Sequence, residues 1–182
     1  YEIPPGTTPI ALLDKLVRGE ESLRSLTLVE GWTFRQMRAS LAREELRHDT
    51  ASLSDAEIMQ QLGRPGVPAE GRFFPDTYAY AKGSSDLAVL RRALHAMDRH
   101  LEAAWAQRSA DTPLKSADEA LVLASIVEKE TGQAADRPQI AGVFANRLRT
   151  GMLLQTDPTV IYGLGEKFDG NLRKRDLQTD TP

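Results

Sequence analysis

The sequence has no cysteine among its 182 residues, which excludes disulfides, thiol nucleophiles and thiolate metal sites. Histidine is nearly as scarce: His48, His95 and His100 are the only three. His95 and His100 stand five apart, not at the four that puts two ligands on one helical face, and no His-Glu-x-x-His occurs. This argues against a zinc enzyme and a His-based triad; neither a metal nor a cofactor is expected. No run approaches the roughly 18 consecutive apolar residues of a membrane helix. Charge of one sign is also lacking. The 23 basic residues lie scattered among 26 acidic ones, giving a net charge of −3 and no broad basic field for nucleic acid.

What is present is ordinary for a folded domain, with 41% hydrophobic and 27% charged residues. A chain of this size buries roughly 70% of its unfolded surface. It opens at Tyr1 with no basic-apolar leader and closes on Asp180-Thr181-Pro182. This reads as a piece of a longer protein, with any export signal or anchor outside it.

Local signals predict a helix-dominated α+β chain with minor strand, residues 30–180 forming one unit. Thr8-Pro9 reads as an N-cap with Pro at N1, before the stripe Ile10, Leu13, Leu16 and Val17. Leu26 to Val29 is a short strand candidate. Capping boxes at Thr33-Phe34-Arg35-Gln36, Ser54-Asp55-Ala56-Glu57 and Ser116-Ala117-Asp118-Glu119 open three helices, the first running to about Leu46. Residues 63–71 form a loop, and residues 72–83 are aromatic and turn-rich without a clean period. A long helix spans Leu87 to about Arg108. Asp136 with Pro138 starts another, ended by Gly151 as a C′ glycine, and Asp157-Pro158 reads as a further N-cap.

The helix from Ala117 to about Thr131 carries the sharpest chemical signal. At roughly 100° per residue from Leu123, Ile126 falls near 300°, Val127 near 40° and Glu130 near 340°, inside the apolar stripe. Glu128 falls near 140°, on the far side. Glu130 is therefore expected to face inward near the helix C-terminus, with its pKa raised by desolvation and by the helix dipole, as a general acid needs. The bland alternative is a Glu satisfied by an internal Arg, such as Arg137 or Arg147. Other polar positions leave two readings each. Asp76 binds a ligand hydroxyl or closes an Asx-turn. Asp157 caps a helix or, with Gln155 and Thr156, faces a substrate. Asn146 is a bland solvated or cap-contact residue, or a cleft residue; Arg147 and Arg149 are surface charge or anion clamps. The aromatics of 73–80 are core, or a wall for sugar rings.

Three segments carry a family resemblance. Ala124-Ser125-Ile126-Val127-Glu128-Lys129-Glu130-Thr131, Val143-Phe144-Ala145-Asn146-Arg147-Leu148 and Gly151 through Gly163, which contains Gln155-Thr156-Asp157-Pro158, resemble the core of the YceG-like family of bacterial endolytic murein transglycosylases. Glu30-Gly31 and Glu70-Gly71-Arg72-Phe73-Phe74-Pro75-Asp76-Thr77-Tyr78 fit the same family. The resemblance runs from about Leu28 to Asp180. It implies a lysozyme-like-core catalytic domain over 28–182, C-terminally incomplete, with 1–27 as the tail of a LysM-like subdomain. It makes Glu130 the catalytic acid/base. By resemblance and polar chemistry, Asp76, Asn146, Arg147, Gln155, Thr156, Asp157 and Tyr162 become substrate-cleft candidates. Further implied are peptidoglycan strands as substrate, no cofactor, glycan-polymerising synthases as neighbours, and a longer protein anchored in the inner membrane with its catalytic part in the periplasm. Two alternatives stay open: a hydrolytic muramidase with Asp157 or Asp76 as base or nucleophile, and a non-catalytic glycan-binding module.

Overall fold

The helices that follow Thr8, Thr33, Ser54 and Ser116 each start where a side chain satisfies one of the first orphan amides. The computed structural model describes residues 3–19 and 22–178. The Asp180-Thr181-Pro182 end lies outside the described residues. The chain divides into two compact units, 1–98 and 99–182.

In the first unit, α1 (Pro9–Val17) begins with the Thr8 hydroxyl accepting the Ala11 N–H at 3.2 Å. The capping boxes expected at Thr33 and Ser54 are both complete and open α2 (Phe34–Leu41) and α3 (Asp55–Gln61). Glu70 adds a carboxylate at the start of α2, where its Oε2 accepts the Phe34 N–H at 3.0 Å. Ser54→Ala should lower stability by about 1 kcal/mol, read as a fall in the unfolding midpoint; an unchanged midpoint would contradict the cap's role.

Helix α2 ends five residues before the expected Leu46. Leu46 is still buried, but from a turn, because the next-door Glu45 carbonyl accepts the Gly83 N–H at 2.8 Å. Strand β1 (Leu23–Thr27) pairs antiparallel with β2 (Thr77–Ala81), with Leu26 opposite Tyr78. The second strand lies inside the stretch that shows no clean period in the sequence. Tyr78 and Tyr80 point inward while Ala79 and Ala81 point out, so the alternation is masked by small outward residues and the preceding Phe73-Phe74 pair. Leu26, Leu28, Phe34, Ile58, Met59, Phe73 and Leu90 are central members of one core.

Helix α4 (Asp86–Ala106) is anchored at its start by a polar clasp. The Thr50 hydroxyl donates to buried Asp86 at 2.6 Å, and Ser85 donates to Asp49 at 2.6 Å. The Arg47 guanidinium and then the Ser85 hydroxyl hold the Asp49 carboxyl down to about 2. This depressed pKa contributes stability above the ordinary carboxylate range, lost as pH falls toward that value.

The second unit holds the end of α4, then α5 (Ala117–Glu130), α6 (Arg137–Arg149), α7 (Asp157–Leu164) and two short 3-10 turns. Among the described residues the chain thus has seven α-helices and two strands, the helix-dominated α+β class read from the sequence. No helix among them is long and apolar enough to cross a membrane.

Candidate active site

Helix α5 is opened by Ser116, whose hydroxyl accepts the Glu119 N–H at 3.1 Å. The Glu119 carboxylate caps Lys115 rather than Ser116, so this third box is only half formed. Ile126 and Val127 are buried against Phe144 of α6, with Leu123, Ile140, Ala141 and Leu154 around them.

The stripe on α5 is therefore real, but it does not bury its last member. Glu130 is exposed, whereas the sequence predicts it inward. The helix stops at Glu130, so its final turn overhangs the packed cluster. Glu128, expected to be solvated, is half-buried and pairs with Arg137 at 3.0 Å. The internal arginine is thus taken by Glu128. Its pair is partly exposed, so Glu128→Gln should lower stability by at most about 1 kcal/mol, read as a small fall in the unfolding midpoint. A loss several times larger would contradict a partly exposed pair.

Helix α6 ends in a Schellman turn. The Gly151 N–H bonds the Leu148 carbonyl at 3.3 Å and the Met152 N–H bonds the Arg147 carbonyl at 2.9 Å. Gly151 has φ of 68°, where a side chain would be strained, as its reading as a C′ glycine requires. The chain then folds back, and Leu154 joins the apolar cluster. The Arg147 guanidinium donates to the Leu154 carbonyl and fixes the bend. Gln155 follows with φ of 49°, the one non-glycine residue in the left-handed region among those described.

This bend delivers Thr156 to Glu130. Thr156 is only 4% exposed, and its hydroxyl donates to Oε1 of Glu130. Thr156, not Asp157, is the N-cap residue of α7; Asp157 is an exposed first-turn residue, with Pro158 next. The Asp-Pro pair drew the expected cap one residue too far.

The other candidates lie as follows. Gln155 and Asp157 flank Thr156 and are exposed. Tyr162 is on α7, 60% exposed. Asn146 is exposed on α6, its Oδ1 accepting from Arg149 at 2.9 Å. Arg149 also donates to the Asp111 carbonyl at 3.2 Å. Asp76 belongs to the first unit, where its carboxylate accepts the Thr77 N–H at 2.7 Å. Two open concavities of about 370 and 580 Å³ are lined around Trp105 and around Arg91 respectively, by neither Glu130 nor Thr156. Among the described residues no cluster of His, Asp and Glu could hold a metal ion.

Glu130 thus offers a carboxyl at a helix end, reachable by solvent and engaged by one buried hydroxyl. The model of the YceG-like family matches residues 1–182. The chain belongs to the YceG-like family. Among its relatives, a Bacillus subtilis protein named endolytic murein transglycosylase is 30% identical, over all of this chain and 55% of its own length. A Streptococcus pneumoniae protein of the same name is 33% identical over all of this chain and 38% of its own. The chain thus spans about half or less of the length of these curated relatives. A solved structure of a yceG-like protein from Listeria monocytogenes superposes with a TM-score of 0.64 at 26% identity, covering all of this chain and 66% of that one.

Proposed function

We propose that this YceG-like chain is the Glu130-bearing part of an endolytic peptidoglycan lytic transglycosylase. The observation that carries the reading is the Glu130–Thr156 contact, in a family whose relatives are named endolytic murein transglycosylase. The substrate is the β-1,4 bond between N-acetylmuramic acid and N-acetylglucosamine within a glycan strand. Protonated Glu130 gives its proton to the glycosidic oxygen as the C1–O bond breaks. The muramic anomeric carbon gains oxocarbenium character. The sugar's own C6 hydroxyl attacks C1 and forms the C1–O6 bond. Its proton returns to the Glu130 carboxylate, so the acid is regenerated and a 1,6-anhydro end results. Because the nucleophile is tethered to the reacting centre, most of the entropic cost of attack is already met, and no second carboxylate is required.

Within this reading residues 28–182 make the catalytic part around a lysozyme-like core, and 1–27 are the tail of a LysM-like subdomain. In the second unit Asn146, Arg147, Gln155, Asp157 and Tyr162 serve as substrate contacts, and in the first unit Asp76 does. The chain works on the periplasmic face of the inner membrane, anchored by a longer protein, beside glycan-polymerising synthases whose new strands it shortens. The support for the location is the relatives' name, since murein lies outside the cytoplasm.

Mass spectrometry of purified glycan strands after incubation with the chain tests the reading. The expected products are internal fragments with 1,6-anhydro ends. Free reducing ends would make it a muramidase, and strand binding without products, by this chain and by a C-terminally extended one, would make it a glycan-binding module.

A further inference from the structure

We propose that Thr156 is a positioning residue whose hydroxyl fixes which oxygen of Glu130 carries the transferable proton. The inference rests on the reading of Glu130 as the acid/base. Thr156 sits at the N-cap of α7 with the extended φ of −118° and ψ of 130° that suits a capping side chain. A hydroxyl can donate and accept at once. Yet Thr156 makes no side-chain cap bond to α7, and its one proton goes to Oε1 of Glu130. The amide a cap side chain would take is bonded otherwise: the Thr159 N–H bonds the Thr156 carbonyl at 3.2 Å, and the Thr159 hydroxyl donates to the same carbonyl at 2.8 Å.

The approach to Thr156 is set by the chain around it. The turn at Gly151, the Arg147 bond to the Leu154 carbonyl, the burial of Leu154 and the left-handed Gln155 all act on the residues just before it. The result is a threonine 4% exposed beside a glutamate that is otherwise open to solvent. Among the described residues Thr156 is the hydrogen-bond partner that the Glu130 carboxyl has. Without it, an exposed carboxyl on the last residue of a helix turns freely about its terminal bond.

An un-ionised carboxyl has one carbonyl oxygen and one O–H. A donor held on Oε1 makes Oε1 the carbonyl and leaves the proton on Oε2, facing outward. Oε2 gives that proton to the glycosidic oxygen and, as a carboxylate oxygen, later takes the C6 hydroxyl proton. Thr156 stays on Oε1 throughout. Its bond strengthens when the carboxyl ionises, which favours the state between the two transfers.

The test compares Thr156→Val and Thr156→Ser with wild type on purified glycan strands. Thr156→Val should lower kcat about 10- to 100-fold with KM unchanged, the scale of a misplaced catalytic group. Thr156→Ser, which keeps the hydroxyl, should restore most of kcat. A raised KM with kcat kept would make Thr156 a substrate contact and overturn the proposal. Equal losses in Val and Ser, with lowered melting temperatures, would make it a packing residue and also overturn it. A second readout needs no turnover: the ¹³C resonance of the Glu130 carboxyl carbon, which should move in Thr156→Val and not in Thr156→Ser. If neither wild type nor a C-terminally extended chain cleaves anything, the transglycosylase reading fails, and this resonance still decides the contact; a resonance unmoved in Thr156→Val overturns it.

Discussion

Glu130→Gln should reduce strand cleavage by about 10³-fold, within the range that a general acid contributes, while the melting temperature stays at its wild-type value. The fold is expected to survive because the substitution is isosteric at an exposed position. The amide oxygen can still accept the Thr156 hydroxyl, so the bend from Gly151 to Thr156 keeps its anchor. What is lost is the exchangeable proton alone. Transition-state stabilisation should fall with little change in strand binding, so the deficit should appear in kcat. A Glu130→Gln protein with wild-type turnover would remove Glu130 from the chemistry. A protein that unfolds would instead show a structural carboxylate.

The largest effect on stability should come from Phe73→Ala, which is expected to cost about 3–5 kcal/mol. Phe73 is 2% exposed and stacks on Phe34 with ring centroids 4.7 Å apart and planes 15° from parallel. Truncation leaves a cavity between the start of α2 and the rest of the first unit's core, and also removes the ring contact itself. Small domains have only about 5–15 kcal/mol in total, so much of that unit's margin goes. Urea unfolding monitored by circular dichroism reads it directly. A loss below about 1 kcal/mol would mean that the site collapses around the smaller side chain, and that Phe73 is not central.

The parts of the fold legible in the sequence are those written in local chemistry. Thr33 with Gln36 and Ser54 with Glu57 announce helix starts because both halves of each reciprocal bond lie within four residues. Gly151 announces a helix end because a left-handed residue is needed there. Strand β2 is not legible, since its identity depends on a partner some fifty residues earlier, with Leu26 meeting Tyr78.

At the site, the helical wheel singles out Glu130 and misplaces its environment. Periodicity reports which face a residue shares with Ile126 and Val127; it does not report that the helix ends at Glu130, beyond the cluster that covers those two residues. The same limit applies to Arg147. Its charge suggests an anion clamp, while in the fold its guanidinium holds a main-chain carbonyl seven residues on. The true partner of Glu130 lies 26 residues away, across a bend that only the folded chain reveals.

The most direct test of the central claim is cleavage of purified glycan strands in water enriched in oxygen-18, followed by mass spectrometry of the new ends. Attack by the C6 hydroxyl adds no solvent oxygen. The account predicts 1,6-anhydro ends without oxygen-18 for wild type, and about 10³-fold fewer new ends for Glu130→Gln. New reducing ends each carrying one oxygen-18 atom would show that water is the nucleophile, and would contradict it.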